Sequence, residues 1–214
     1  MIRSLQSRQR PRPWLRAIVG FGLAGLLSLS AQAGEAGAVA AVRDGQHDFD
    51  FNLGRWTIHV ERLIHPLTGS KTWVTLDGTK VVRKIWDGRA QIEQVKADGP
   101  DSHIENMGLM LYDPNSRQWS VSFANSSDGV LGAPVFGEFK DGRGDFFSPD
   151  TYKGRAILVR LTWSDFTPTT HHLQQSFSED GGRTWETNLK VTLTRVREHA
   201  HQVPAPNSEL AGRT

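Results

Sequence analysis

The sequence predicts an all-β fold, a single antiparallel up-and-down β-barrel of about eight to ten strands. Three observations carry that expectation. Turn-forming clusters such as Pro66-Leu67-Thr68-Gly69, Asp87-Gly88, Asp113-Pro114-Asn115 and Asp141-Gly142 punctuate the chain, commonly about ten residues apart, the spacing of short strands joined by hairpins. Between them apolar and polar residues alternate, the pattern of a sheet with one buried and one wet face. No helical period of useful length follows residue 45.

Taken in order, residues 1–33 read as a secretory signal peptide. Arg3, Arg8, Arg10, Arg12 and Arg16 form a basic, acid-free start, residues 17–30 are apolar, and Ala31-Gln32-Ala33 is a small-x-small cleavage site. The apolar run is too short for a permanent membrane anchor. Cleavage near Ala33 would place the mature chain in the periplasm or outside the cell. The whole chain has 25 basic and 23 acidic residues, net +2. Without the five leader arginines it carries 20 against 23, net −3. The positive sign belongs to the leader, so nothing points to a nucleic-acid partner. With no cysteine in the sequence, disulfides, thiolate metal sites and cysteine nucleophiles are excluded.

Residues 34–46 read as a linker and 47–197 as the barrel domain, followed by a polar, Pro-containing tail over 198–214 that reads as disordered. Candidate strands are 55–64, 71–76, 79–86, 90–97, 105–112, 118–124, 134–140, 143–152, 155–164, 170–178 and 184–196. In the first strand Trp56, Ile58 and Val60 share one face; in the last, Trp185, Leu189, Val191 and Leu193 do. The Gly54-Arg55-Trp56 opening and Arg195 near the close are expected to plug one end, the guanidinium stacked on the indole. Ser178-x-Asp180-x-Gly182-x-Thr184-Trp185 matches the folded hairpin repeated in sialidase-type propellers. A propeller needs several copies, so this one reads as a hairpin staple.

A wider resemblance rests on motifs occurring together: His47-Asp48-Phe49-Asp50-Phe51 followed by Gly54-x-Trp56, Arg62-Leu63-x-His65-Pro66-Leu67-Thr68-Gly69-Ser70, Trp86-Asp87-Gly88-Arg89, Leu111-Tyr112-Asp113-Pro114, Gly137-x-Phe139-x-Asp141-Gly142 and Phe177-Ser178-x-Asp180-Gly181-Gly182-x-Thr184-Trp185-Glu186. They resemble a bacterial family of exported lipocalin-like barrels classed as a domain of unknown function, over about residues 47–197. The resemblance implies a calycin-type barrel with an interior cavity, and it brings no established activity and no catalytic residues.

The chemistry-bearing residues support binding more than catalysis. No Gly-x-Ser-x-Gly elbow, paired metal-ligand histidines or phosphate-cradling loop is present. His171 and His172 are strand neighbours and face opposite sides; one of them would be needed for a haem axial ligand. No cofactor and no metal are expected. Arg62, Glu93 and Gln175 fall on apparently buried parity or, like Arg160, between apolar strand neighbours. With Trp86 they are the candidate ligand contacts, polar groups fixing a ligand's head in an apolar cavity. The partner expected is a small apolar or amphipathic molecule bound by a monomer. Two alternatives stand beside it. One is an enzyme with Glu93 as acid or base and Arg62 as electrostatic stabiliser. The other is a periplasmic protein-interaction module.

Overall fold

The computed structural model describes residues 43–197. The segments expected to be the signal peptide, most of the linker and the tail 198–214 lie outside the described residues. Ten strands follow one another: β1 (Gly54–Leu63), β2 (Trp73–Ile85), β3 (Ala90–Gly99), β4 (Ser102–Asp113), β5 (Gln118–Asn125), β6 (Val135–Lys140), β7 (Arg143–Tyr152), β8 (Arg155–Ser164), β9 (Thr170–Ser178) and β10 (Glu186–Arg195). Each is antiparallel to its sequence neighbours, and β10 pairs with β1 to close an up-and-down barrel. Closure leaves no unpaired edge strand among the described residues.

Eleven candidate strands become ten because Asp77-Gly78 is not a turn. β2 runs straight through it, with Gly78 opposite both Ile58 and Ala97. Glycine is required there by crowding: a Cβ would lie 1.9 Å from the Lys96 carbonyl oxygen. Close backbone approach at a sheet position is the other use of glycine besides turns. Packing also starts before residue 47. Gly45 donates its N–H to the Tyr112 hydroxyl (3.1 Å) and accepts from Trp119 Nε1 (2.9 Å), while the Tyr112 hydroxyl donates to Asp44 (2.8 Å). The last residues of the expected linker are therefore packed against the barrel, on Tyr112 and Trp119.

One end of the barrel is filled. The chain enters through a 3-10 turn over Asp50–Asn52, which pushes Phe49 among Trp119, Phe139, Phe146 and Trp163. Beside it Trp56 donates its indole N–H to the Asn52 carbonyl (2.8 Å). The Arg195 guanidinium lies 4.1 Å over the Trp56 ring and donates to the carbonyls of Leu53 and Phe51, each at 2.8 Å. Arg195 thus satisfies backbone acceptors that the entering segment would otherwise bury unpaired.

At the opposite end the β9–β10 hairpin is held by its own side chains. The Ser178 hydroxyl donates to Asp180 (2.8 Å) and accepts from the Gly182 N–H (2.8 Å). Asp180 accepts from the Thr184 N–H (2.9 Å) and hydroxyl (2.7 Å). The Thr184 hydroxyl, more than any other group, holds the Asp180 carboxyl well below the usual carboxylate range. Trp185 closes the loop by donating to the Gly182 carbonyl (3.0 Å).

Trp185 does not continue the inward face of β10, as simple alternation predicts. The pairing of β10 with β9 shifts between Thr187 and Leu189, leaving Asn188 as an extra residue. Such a bulge flips side-chain parity. Trp185 therefore packs outside, with Arg160 at 4.4 Å from its ring and Phe147 at 6.0 Å.

Candidate functional site

The half of the barrel away from the aromatic plug encloses a cavity of about 350 Å³. Its walls are inward residues of β1–β5 and β8–β10, among them Ile58, Val60, Phe123, Leu161, Leu173 and Val191. Polar groups interrupt this apolar lining at few points, the usual make-up of a small-molecule pocket. Lys80 and Glu93 are the most enclosed of them, both buried. Lys80 Nζ sits 2.7 Å from Glu93 Oε2. The approach is an ion pair lying off the direction of a hydrogen bond, which leaves that oxygen unsatisfied by any directed donor. Lys80 is opposite Val95, two residues from Glu93, so the two side chains meet diagonally across β2 and β3. Glu93 has room because it lies across Gly108, where a Cβ would come within 2.6 Å of its Cγ.

Asn106 and Asn125 face each other across β4 and β5, the Asn125 amide donating to Asn106 Oδ1 (2.6 Å). Both line the cavity, as do Gln175 and Arg62. Arg62 stands at the open end and is exposed, rather than carrying a buried charge. The Glu93–Arg62 pairing that an enzymatic reading would use is not made; the neighbour of Glu93 is Lys80. Of the remaining candidates, Arg160 points outward beneath Trp185 and does not line the cavity. Trp86 is 64 % exposed, in a left-handed turn between β2 and β3 (φ 53), also away from the cavity. The structure thus brings together Arg62, Glu93 and Gln175 and separates Arg160 and Trp86 from them.

Lys80 is the site residue that sequence reading missed. Its parity with Leu76 and Val82, both buried, was the available signal. Splitting β2 at Asp77-Gly78 cut that parity in two.

His171 lies beneath the cavity, buried edge-on against Trp56 (ring centroids 4.5 Å apart) and Phe51 (4.9 Å). Neither ring nitrogen has a hydrogen-bond partner among the described residues. Burial, then the nearby Lys80 and Arg195 charges, push its pKa down from 6.5 to about 3. His172 faces outward, 3.1 Å from Asp165. Among the described residues no three His, Cys, Asp or Glu side chains converge as a metal-ligand set.

The neutral His171 sets a pH dependence whose sign is fixed. Below about 6.5 the unfolded chain binds a proton that the folded chain refuses until about 3. The stability His171 allows is therefore complete above 6.5 and falls as pH drops towards 3, by up to about 1.4 kcal/mol per pH unit. In urea titrations, acidification from about pH 7 to about pH 5 is expected to lower wild-type stability more than that of His171→Phe. Equal losses in the two proteins would remove His171 as the cause.

No protein-family model matches the chain, and no curated protein matches it in sequence. Solved structures do match in shape. The S-type phycobiliprotein lyase CPES from Guillardia theta superposes with a TM-score of 0.50 at 12% identity, over 74% of this chain and 96% of the lyase. EF1p2_mFAP2b bound to DFHBI matches with a TM-score of 0.40 at 10% identity, over 71% of this chain and 99% of that one. A redesigned β-barrel matches at 0.38 and 13%, over 73% and 98%. The likeness to the lyase, with the closed ten-strand meander, makes the fold lipocalin- or calycin-like. It is a likeness of fold.

Proposed function

We propose that the mature chain is an exported binding protein that holds a small apolar or amphipathic molecule inside the barrel. The observation that carries this reading is the cavity of about 350 Å³, apolar in its walls and polar at a few convergent points. That volume and composition fit a ligand pocket, in which apolar contact supplies affinity and the polar groups fix orientation. Export rests on the leader over residues 1–33, which would deliver the barrel to a compartment where its lack of cysteine is no handicap. The reading as a protein-interaction module has one observation of its own. Phe136 and Phe147 are neighbours across β6 and β7 and stand exposed on the outer wall.

Native mass spectrometry of the mature protein, purified from the periplasm without detergent, tests the proposal. The expected result is a discrete extra mass that is lost on denaturation. Val191→Trp, which fills the cavity from its wall at a cost of about 1–3 kcal/mol, is expected to be recovered without that mass. An apo mass for the wild type, with no uptake of an added apolar probe, would overturn the binding reading.

A further inference from the structure

A second cavity, also about 350 Å³, adjoins the first at the open end. Arg62, Gln175 and Leu189 line both, so the two spaces share a wall at the mouth. The outer chamber lies under the β1–β2 loop. Pro66 is buried in that loop, and the loop is tied to β10 where the Leu67 N–H donates to the Glu186 carboxylate. Tyr152 and Phe177 form the chamber's aromatic side.

Two donors there have no protein acceptor among the described residues. Asn188, the bulged residue of β10, is only 4 % exposed, and its Nδ2 has no partner among the described residues. An amide buried with an unmet N–H is costly unless something accepts from it, and a bulge is a common device for aiming a side chain at a site. Arg62 is opposite Leu189, the residue after Asn188, and forms no ion pair or side-chain hydrogen bond among the described residues. The acids on the adjoining segments are already engaged: Glu61 with Lys190 at 3.4 Å, Glu186 with the Leu67 N–H and Glu179 with Arg155 at 2.5 Å. Deep in the inner cavity, by contrast, Lys80 and Glu93 neutralise each other. A second net charge has no counterpart there and would be expensive to bury.

We propose that the two chambers are one site and that its ligand is a carboxylate-bearing amphiphile. The carboxylate sits in the outer chamber, accepting from the Asn188 amide and facing the Arg62 guanidinium. The apolar body extends inward between Val60, Leu173 and Val191 and ends near the Lys80–Glu93 pair. This assignment rests on the binding reading above and adds the class of the head group and its direction.

Isothermal titration with dodecanoate, dodecan-1-ol and dodecyltrimethylammonium tests it on the mature wild type, Arg62→Gln and Asn188→Leu. The wild type is expected to bind dodecanoate about ten-fold more tightly than dodecanol, the worth of one charged hydrogen-bonded contact, and the ammonium amphiphile least. Arg62→Gln, at an exposed position that leaves the fold intact, is expected to bring dodecanoate down to the alcohol. Asn188→Leu is expected to weaken dodecanoate while dodecanol is unchanged or tighter. Equal wild-type affinity for acid and alcohol, or an equal loss of both in Arg62→Gln, would overturn the head-group assignment and leave the cavity reading standing. Binding of none of the three, with an apo mass in the native spectrum, would remove both.

Discussion

Lys80→Met is expected to lower the folding free energy by about 3–5 kcal/mol, the cost of stranding a buried carboxylate. Glu93 then keeps its place against Gly108 without its cation, since Arg62, the other charged base lining the cavity among the described residues, stands at the open end. The converse variant, Glu93→Met, strands the ammonium and is expected to cost a similar amount. The double variant Lys80→Met/Glu93→Met is the informative one. Two apolar side chains of similar volume replace two charges whose desolvation their attraction only partly offsets, so most of the loss should return, and a net gain of about 1 kcal/mol or more is within reach. Urea unfolding at matched slope measures all four proteins. A single variant within about 1 kcal/mol of the wild type would mean that water reaches the pair. Near-normal stability of the double variant with altered ligand preference would show that the pair serves the cavity more than the fold.

Phe49→Ala is expected to cost about 3–5 kcal/mol, at the upper end for removing a fully packed aromatic ring. Phe49 is completely buried, edge-on to Phe139 at 4.8 Å, Trp119 at 5.1 Å and Trp163 at 5.2 Å. Each such pair adds to the transfer energy of the ring itself. These neighbours come from β5, β6 and β8, so they cannot collapse into the space without distorting the closed sheet, and a cavity remains. Thermal unfolding should show the loss, and near-ultraviolet circular dichroism should show a weakened tryptophan signal. The open-end cavity lies on the other side of Trp56, so a loss of stability with unchanged ligand affinity is the expected combination. A change below about 1 kcal/mol would mean that the closed end tolerates a void, contrary to dense core packing.

Much of the fold was legible in the residues. Alternation along β1 and the second half of β10, the turn clusters, and the short connections that make each strand pair with the next are local features, readable without knowing the partner. Trp56 and Arg195 belong to this legible part, being opposite each other where the two ends of the meander meet. So does the Ser178–Trp185 hairpin, whose hydrogen bonds all fall within four residues of each other.

The site was less legible. Arg62, Glu93 and Gln175 do border one cavity, but the charge facing Glu93 is Lys80, whose shared parity with Leu76 is hidden when β2 is cut at Asp77-Gly78. The reverse error placed Arg160 among the candidates, since an arginine between apolar neighbours on a strand can belong to either face.

By itself the sequence determined an antiparallel meander with a Trp56–Arg195 closure and a stapled last hairpin, because side-chain period and turn chemistry act over a few residues. Only the tertiary structure decided which polar groups share the interior. That outcome depends on where glycine lets strands press together, as at Gly78, and where an extra residue flips parity, as at Asn188. Both effects arise from pairing between strands, and closure of the ring passes each register shift on to the faces that meet inside.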